Sequence, residues 1–525
     1  MSFTAPIINW AALVPALLIL GGGVLGVLVE AFAPRASRHT AQVVLSLASV
    51  LAAGVALAQR WEVVPAGGSA PMSQGLNEDP FAVAAQGVLL VIGFLALLVM
   101  ADRTALGDGA FAAQAADRPG SAEEAESLHA GWTTTEVFPL ALLSLGGMML
   151  FGAASDLITL FVVLELVSLP LYIMAATARH RRLLSQEAAV KYFVLGAFAS
   201  AVMLMGAALL YGLSGAVDYL TIGQALTVGA QPGTDYLALC AVAMVTIGLL
   251  FKIAAVPFHA WSPDVYQGAP TPVTGFMAAG VKAAAFFALV RFHYVLAGLL
   301  GWDLAPFLWT VAIATMVVGT VVGIVQRDVK RMLAYSAIAH AGFMLIGIIA
   351  YNQESIAALV LYALTYGVAT VGAFGLIGLV RSSQEGAVGG ERSDLAAFTG
   401  LARRSPWAAG AMTVFLLSFA GIPLTAGFTA KFQLFVAGAK GGASWLVILA
   451  VLCSAATAFF YMRLIVLMHF HEPEDGTEAG GTTAVVSSRG LITAAVAIAV
   501  AATIALGVLP QAVIELLSRA AMLLP

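Results

Sequence analysis

Apolar residues fall into long unbroken runs along this chain, not into an alternating or one-sided pattern. Cut at charges and Pro/Gly clusters, the runs cover 8–32, 40–58, 81–100, 137–154, 156–178, 187–211, 236–257, 272–297, 306–325, 329–350, 354–381, 408–437, 444–469 and 489–509. An α-helix of about 20 residues crosses the ~30 Å hydrocarbon core of a bilayer. The pattern therefore predicts an all-α membrane protein with about 14 transmembrane helices. These are called spans 1 to 14 below, in chain order.

Composition narrows the class. The 525 residues are 61% hydrophobic and 10% charged, whereas globular domains are about 45–50% apolar and ~25% charged. A net charge of −4 and the lack of a basic patch point to no nucleic-acid partner. Cys240 and Cys453 each sit inside an apolar run. They are too few for a metal or iron–sulfur ligand set and are expected as buried thiols. The first basic residue, Arg35, follows the first run. The basic start of a signal peptide is missing, so that run is expected to be a retained helix.

Several motifs fail on context. Gly21–Gly26 (GGGVLG) has G-x-G-x-x-G spacing but lies inside span 1, where small residues serve close helix packing. His469, His471 and Glu472 sit at a helix end beside an acidic loop, and no metal site is expected there. No ATP-binding G-x-x-x-x-G-K-[ST] occurs. Segments 101–135 and 470–488 are polar and are expected as flexible inward loops. The tail after Pro510 is expected to form a short amphipathic helix.

Basic residues orient the set. With the N-terminus outside, the inward segments hold 15 of the 24 Lys and Arg, and the outward ones hold only Arg60, Lys440 and Arg519. This split obeys the positive-inside rule and places both termini outside. Six basic residues remain inside spans: Lys191, Lys252, Lys282, Arg291, Lys431 and Arg463.

A charge at mid-bilayer costs about 2.5–3.5 kcal/mol or more, so such residues need a reason. Glu165 lies nine residues after Asp156, near mid-depth. It is either a carboxyl kept for structure or a charge that tunes a partner. Lys252 lies about a turn before Pro257, which should interrupt span 7. Lys431 follows Gly421, Pro423 and Gly427 in span 12. Two spans thus combine a Pro/Gly break with a buried lysine, as an internally duplicated transporter would. Lys282 lies near mid-depth in span 8. His259, seven residues after Lys252, is either a proton relay or a packed histidine. Lys191 pairs at i,i+4 with Glu187, as a surface ion pair or a path residue. Arg291 and Arg463 are expected to snorkel. Ser336 and His340 share a helix face, as polar lining or as packing. A lysine in low dielectric gives up its proton more readily, and a nearby carboxylate opposes this. A pair such as Glu165–Lys252 would then act as a proton switch. Several such sites make a relay, with the driving energy supplied elsewhere.

The stretch Phe251–Phe286 (FKIAAVPFHAWSPDVYQGAPTPVTGFMAAGVKAAAF) resembles the membrane subunits of proton-translocating NADH–quinone oxidoreductases, with PDVYQGAPTPV closest to the N type. ELVSLPLY (Glu165–Tyr172), SQEAAVKYFVLGAFASA (Ser185–Ala201), QRDVKRMLAYSAIAHAGF (Gln326–Phe343) and SFAGIPLTAGFTAKF (Ser418–Phe432) are similar to that family in the same order. The resemblance implies an antiporter-like fold with two inverted five-helix repeats (helices 4–8 and 9–13), with helices 7 and 12 broken. It implies an N-terminal unit at 1–135, repeats at 136–300 and 301–470, and a last helix with its tail at 471–525. It also implies a proton relay of Glu165, Lys252, Lys282 and Lys431, with Lys191 and His259 at lesser positions. This chain would then carry no redox centre. NAD, FMN, iron–sulfur clusters and quinone would belong to the parent complex, and partners would be its other membrane subunits, antiporter-like paralogues included. Leu424, Ala430 and Phe343 depart from residues common in the family. Two other readings stay open on the residues alone: a subunit of a multisubunit cation/proton antiporter, and a non-conducting scaffold.

Overall fold

A computed structural model of the protein describes residues 8–64, 70–105, 107–228, 235–297, 301–384, 387–472, 483–519, 521 and 523. Each apolar run is helical. Among the described residues, 12 helices are long and apolar enough to cross a membrane. Two shorter apolar helices, Val137–Phe151 and Pro406–Ala420, account for runs 4 and 12. Spans 1 to 3 are Trp10–Phe32, Arg35–Val63 and Pro80–Ala101; spans 5 and 6 are Leu157–Ala175 and Arg182–Ser214. Spans 9 to 11 are Gly301–Ile324, Val329–Ile349 and Gln353–Ile377; spans 13 and 14 are Ser444–Phe470 and Leu491–Val508.

The starts follow side-chain chemistry. Asp79, Asp156, Asp328 and Asn352 each accept a hydrogen bond from a backbone N–H in the first turn of spans 3, 5, 10 and 11. Such caps satisfy donors that hydrocarbon cannot. Span 8 is wholly buried, with spans 3, 10 and 11 around it, while spans 1, 2, 13 and 14 lie at the rim. The GGGVLG segment packs as expected. A Cβ on Gly22 would strike Ser49, and Gln42 of span 2 donates to the Gly26 carbonyl at 2.8 Å.

Spans 7 and 12 are broken. Span 7 stops at Ile253, before Pro257, and resumes as Trp261–Gly268. Span 12 stops at Ala420 and resumes as Ala426–Lys440. Gly421, at φ +80°, ends the first half, and Gly427 lets the second half approach the Ser418 carbonyl so closely that any Cβ would collide with it. Leu424, within this break, adopts φ +71°, in the left-handed region that non-glycine residues seldom occupy.

Four expectations are corrected. Arg291 does not snorkel. It is about 1% exposed and pairs with the fully buried Asp79 at 2.9 Å, while its Nε donates to the Gly152 carbonyl at 2.6 Å. The cap of span 3 supplied a carboxylate deep enough to hold it. Segment 101–135 is not a loose loop. It buries Phe111 and Ala112, forms the helix Ala122–His129, and accepts an Arg381 ion pair on Asp108 at 2.6 Å. Burial opposes the Asp108 charge, but the His180 imidazole 3.9 Å away and hydrogen bonds from Thr104 and Arg381 hold its carboxyl well below the ordinary range. Cys240 is exposed on the lateral apolar surface, and only Cys453 is buried. In segment 470–488, Thr483–Val485 pairs antiparallel with Val380–Gln384, which also pairs with Ala387–Glu391. Residues 473–482 lie outside the described residues. The tail helix Gln511–Arg519 is present as expected.

Arg291→Met should destabilise the fold by about 3–5 kcal/mol, since it strands a buried carboxylate. Adding Asp79→Asn should recover part of that loss. Thermal melting of the assembled complex checks this, and a wild-type midpoint for Arg291→Met would contradict it.

Candidate functional site

The buried lysines lie where helical regularity fails. Lys252 is in the last turn before the span 7 break. Its Nζ is 3.4 Å from the Tyr172 hydroxyl and 5.3 and 5.2 Å from the ring centres of Tyr172 and Tyr192. Aromatic faces stabilise an ammonium that water cannot reach. Tyr192 stacks on Trp261, at 4.7 Å, and the Trp261 indole donates to the Phe251 carbonyl at 3.0 Å. The second half of span 7 thus caps the first half and walls in the lysine. Spans 5 and 6 supply the other wall.

Lys282 follows a turn of π-helix, Met277–Val281, and donates to the Ala337 carbonyl of span 10. A π-turn shifts the helix register locally and often marks a functional position. The next turn of span 10 carries a hydroxyl–imidazole cluster. His340 Nδ1 is 2.7 Å from the Tyr362 hydroxyl, and its Nε2 is 3.2 Å from that of Tyr461. Tyr461 also contacts the Ser336 hydroxyl at 2.5 Å. His340 lies three residues after Ala337, which Lys282 engages, and its ring centre is 6.0 Å from that of Phe419, whose carbonyl accepts from Lys431. Ser336 and His340 are therefore polar lining as well as packing.

Lys431 closes the line in the mirrored position, just after the span 12 break. Its Nζ donates to the Phe419 carbonyl at 2.7 Å, the Ala420 carbonyl at 3.2 Å and the Ser454 hydroxyl at 2.8 Å. Those carbonyls are the orphan acceptors at the C-terminus of the first half-helix, where its dipole favours a cation. The Phe343 ring lies 5.2 Å from the same Nζ. A tyrosine there would add a hydroxyl, so the departure noted in the sequence falls beside Lys431.

The remaining candidates stand apart. Glu165 is half-buried on span 5 and makes no ion pair among the described residues. The direct Glu165–Lys252 pair expected from sequence is therefore absent, and Tyr172 takes its place. Lys191 is 42% exposed and bonds Glu187 at 2.8 Å and Asp264 at 2.7 Å. Arg331 also reaches Asp264, at 2.6 Å, so one carboxylate ties spans 6, 7 and 10. His259 lies half-buried in the span 7 break, and its Nδ1 has no partner among the described residues. It is not hydrogen-bonded to Lys252. Sequence reasoning missed Tyr172, Tyr192, Tyr362, Tyr461, Ser454 and Asp264. Only Asp264, a lone carboxylate in an apolar stretch, carried a signal.

Two broken helices, each with a buried lysine at the break, define a membrane subunit of the antiporter-like class. The sequence profile described as NADH:quinone oxidoreductase/Mrp antiporter, TM, matches residues 154–457. The NADH-quinone oxidoreductase subunit N of Beutenbergia cavernae is 53% identical, over 99% of both chains. A chain of respiratory complex I from Thermus thermophilus superposes with a TM-score of 0.75 at 30% identity, covering 96% of this chain and 99% of that one. A chain of the Mrp complex from a Dietzia species reaches a TM-score of 0.77 at 22% identity, over 98% and 96%, and so shares the fold. The chain belongs to the NADH-quinone oxidoreductase subunit N family. It is a multi-pass membrane protein of a respiratory complex, and the antiporter-subunit reading is set aside.

Lys431→Met should leave two carbonyls at the break without a donor, at about 1–3 kcal/mol. Hydrogen exchange of the 419–430 amides in the assembled complex should quicken by roughly five- to hundredfold, while Lys431→Arg should restore protection. Unchanged exchange in Lys431→Met would contradict the capping role.

Proposed function

We propose that this subunit moves protons along a mid-membrane line of Glu165, Lys252, Lys282 and Lys431, with His340 and its tyrosines joining the last two lysines. The observation that carries this reading is Lys431: its ammonium is held at a helix break by two backbone carbonyls and one hydroxyl, with no carboxylate partner among the described residues. A charge so held is easily unbalanced, because each contact is a neutral dipole and burial makes the charge costly. A small shift of the half-helices, or water reaching the break, changes which lysine holds the proton. NADH oxidation and quinone reduction in other subunits supply the energy. NAD, FMN, iron–sulfur clusters and quinone belong there.

Glu165 is the group that tunes Lys252 from the subunit's flank. Its half-exposed position at membrane depth suits contact with an antiporter-like neighbour. Lys191, with Glu187 and Asp264, sits on the same flank and is assigned a lesser part, as is His259 beside the span 7 break. A helix break with a buried lysine recurs in spans 7 and 12, the fourth helix of each unit, and supports two inverted repeats, at 136–300 and 301–470, between an N-terminal unit at 1–135 and a C-terminal segment at 471–525. The basic-residue asymmetry supports fourteen crossings with both termini on the outer side.

Lys252→Ala and Lys431→Ala should each lower NADH-driven proton pumping in membrane vesicles at least about tenfold, with the complex assembled. Dye quenching against NADH consumption reads this directly. Intact coupled pumping in both variants would overturn the relay and favour a scaffold.

A further inference from the structure

A second polar feature lies away from the lysine line, at the end of the molecule that carries the basic loops. The ends of spans 1 to 3 and segment 101–135 enclose a depression of about 690 Å³, lined by Glu30, Arg35, Arg38, His39, Arg103 and Trp132 among others. Its acids do not balance its bases. Glu30 is already engaged by Arg38 at 3.4 Å and by Gln42 at 2.8 Å. Glu136, the other acid in the lining, is exposed and makes no ion pair among the described residues. Arg103 has no carboxylate partner among the described residues, and its neighbour Arg489 repels it. Burial and then Arg489 push its guanidinium below the ordinary value. The Arg35 guanidinium carbon lies 3.9 Å from the centre of the Trp132 ring, and Arg35 makes no ion pair among the described residues.

A half-buried arginine such as Arg103, with no carboxylate partner among the described residues, is costly unless an anion joins it. Guanidinium groups suit phosphate oxygens, which accept paired N–H donors. The surroundings say which phosphate. The depression opens at a helix-end boundary, beside Phe32, which is 83% exposed between Glu30 and Arg35 in sequence. Leu28 and Val44 are exposed on the flanks of spans 1 and 2. An aromatic and aliphatic border next to a basic pocket is the arrangement that receives a lipid, head in the pocket and chains along the helices. We propose that Arg103 and Arg35 bind the phosphate headgroup of an anionic glycerophospholipid in the inner leaflet. The lipid fastens the N-terminal three helices to segment 101–135. The assignment to the inner leaflet rests on the orientation proposed above, while the site itself is independent of the relay.

The intact complex, delipidated in detergent, tests this with a photoactivatable phosphatidylglycerol and mapping of the labelled peptides. Labelling within 101–136 should saturate. It should be competed by phosphatidylglycerol, and not by phosphatidylcholine or by inorganic phosphate at equal concentration. Arg103→Gln and Arg35→Gln should each weaken it about fivefold, as one arginine near a membrane surface contributes. Arg103→Lys should retain more than Arg103→Gln. NADH–quinone activity reports assembly, and Arg35, exposed on the surface, provides a variant that does not disturb the core. Labelling unchanged in both glutamine variants would overturn the proposal. Equal competition by phosphatidylcholine would do so too, and competition by inorganic phosphate would make this a soluble-anion site instead.

Discussion

A helix interrupted inside hydrocarbon leaves carbonyls and amides that the solvent cannot satisfy, and most of this structure answers that constraint. At span 12 the answer is Lys431, whose ammonium takes the Phe419 and Ala420 carbonyls. At span 7 it is the Trp261 indole on the Phe251 carbonyl and the Thr315 hydroxyl, which accepts from the Val256 N–H at 2.9 Å. The two breaks are thus closed by different chemistry. One uses a charge; the other uses an aromatic donor, leaving Lys252 to lie against tyrosine faces.

The same constraint explains the placing of the rest. Span 8 is wholly enclosed, so its Lys282 finds a backbone carbonyl on span 10 and, among the described residues, no carboxylate. Carboxylates are kept to the ends and the flank. Asp79 holds Arg291 at one end, Asp108 holds Arg381 at the other, and Asp264 gathers Lys191 and Arg331 at the side. Salt bridges fix the frame, and the middle is left with charges on neutral partners. A frame built this way is rigid where it is paired and responsive where it is not.

Much of this was legible in the sequence. Apolar run length located the helices, and basic residues ordered them. Pro257 and the Gly421–Gly427 cluster marked the breaks, because those residues act on their own backbone. What stayed hidden depends on partners far apart in sequence. Arg291 was read as snorkelling because its distance from a helix end is local, whereas Asp79 is 212 positions away. The tyrosines around Lys252 and His340 look like ordinary packing residues until six spans converge. Charge alone pairs Glu165 with Lys252 in the sequence, whereas the structure sets the Tyr172 hydroxyl 3.4 Å from the Lys252 Nζ.

The central claim is that the buried lysines belong to one conducting line. The most direct measurement is a structure of the parent complex during turnover, at a resolution that shows ordered water. The account predicts water joining Lys252 to Lys282 and the His340 cluster to Lys431 in at least one state. A line that stays dry and packed in every state would contradict it.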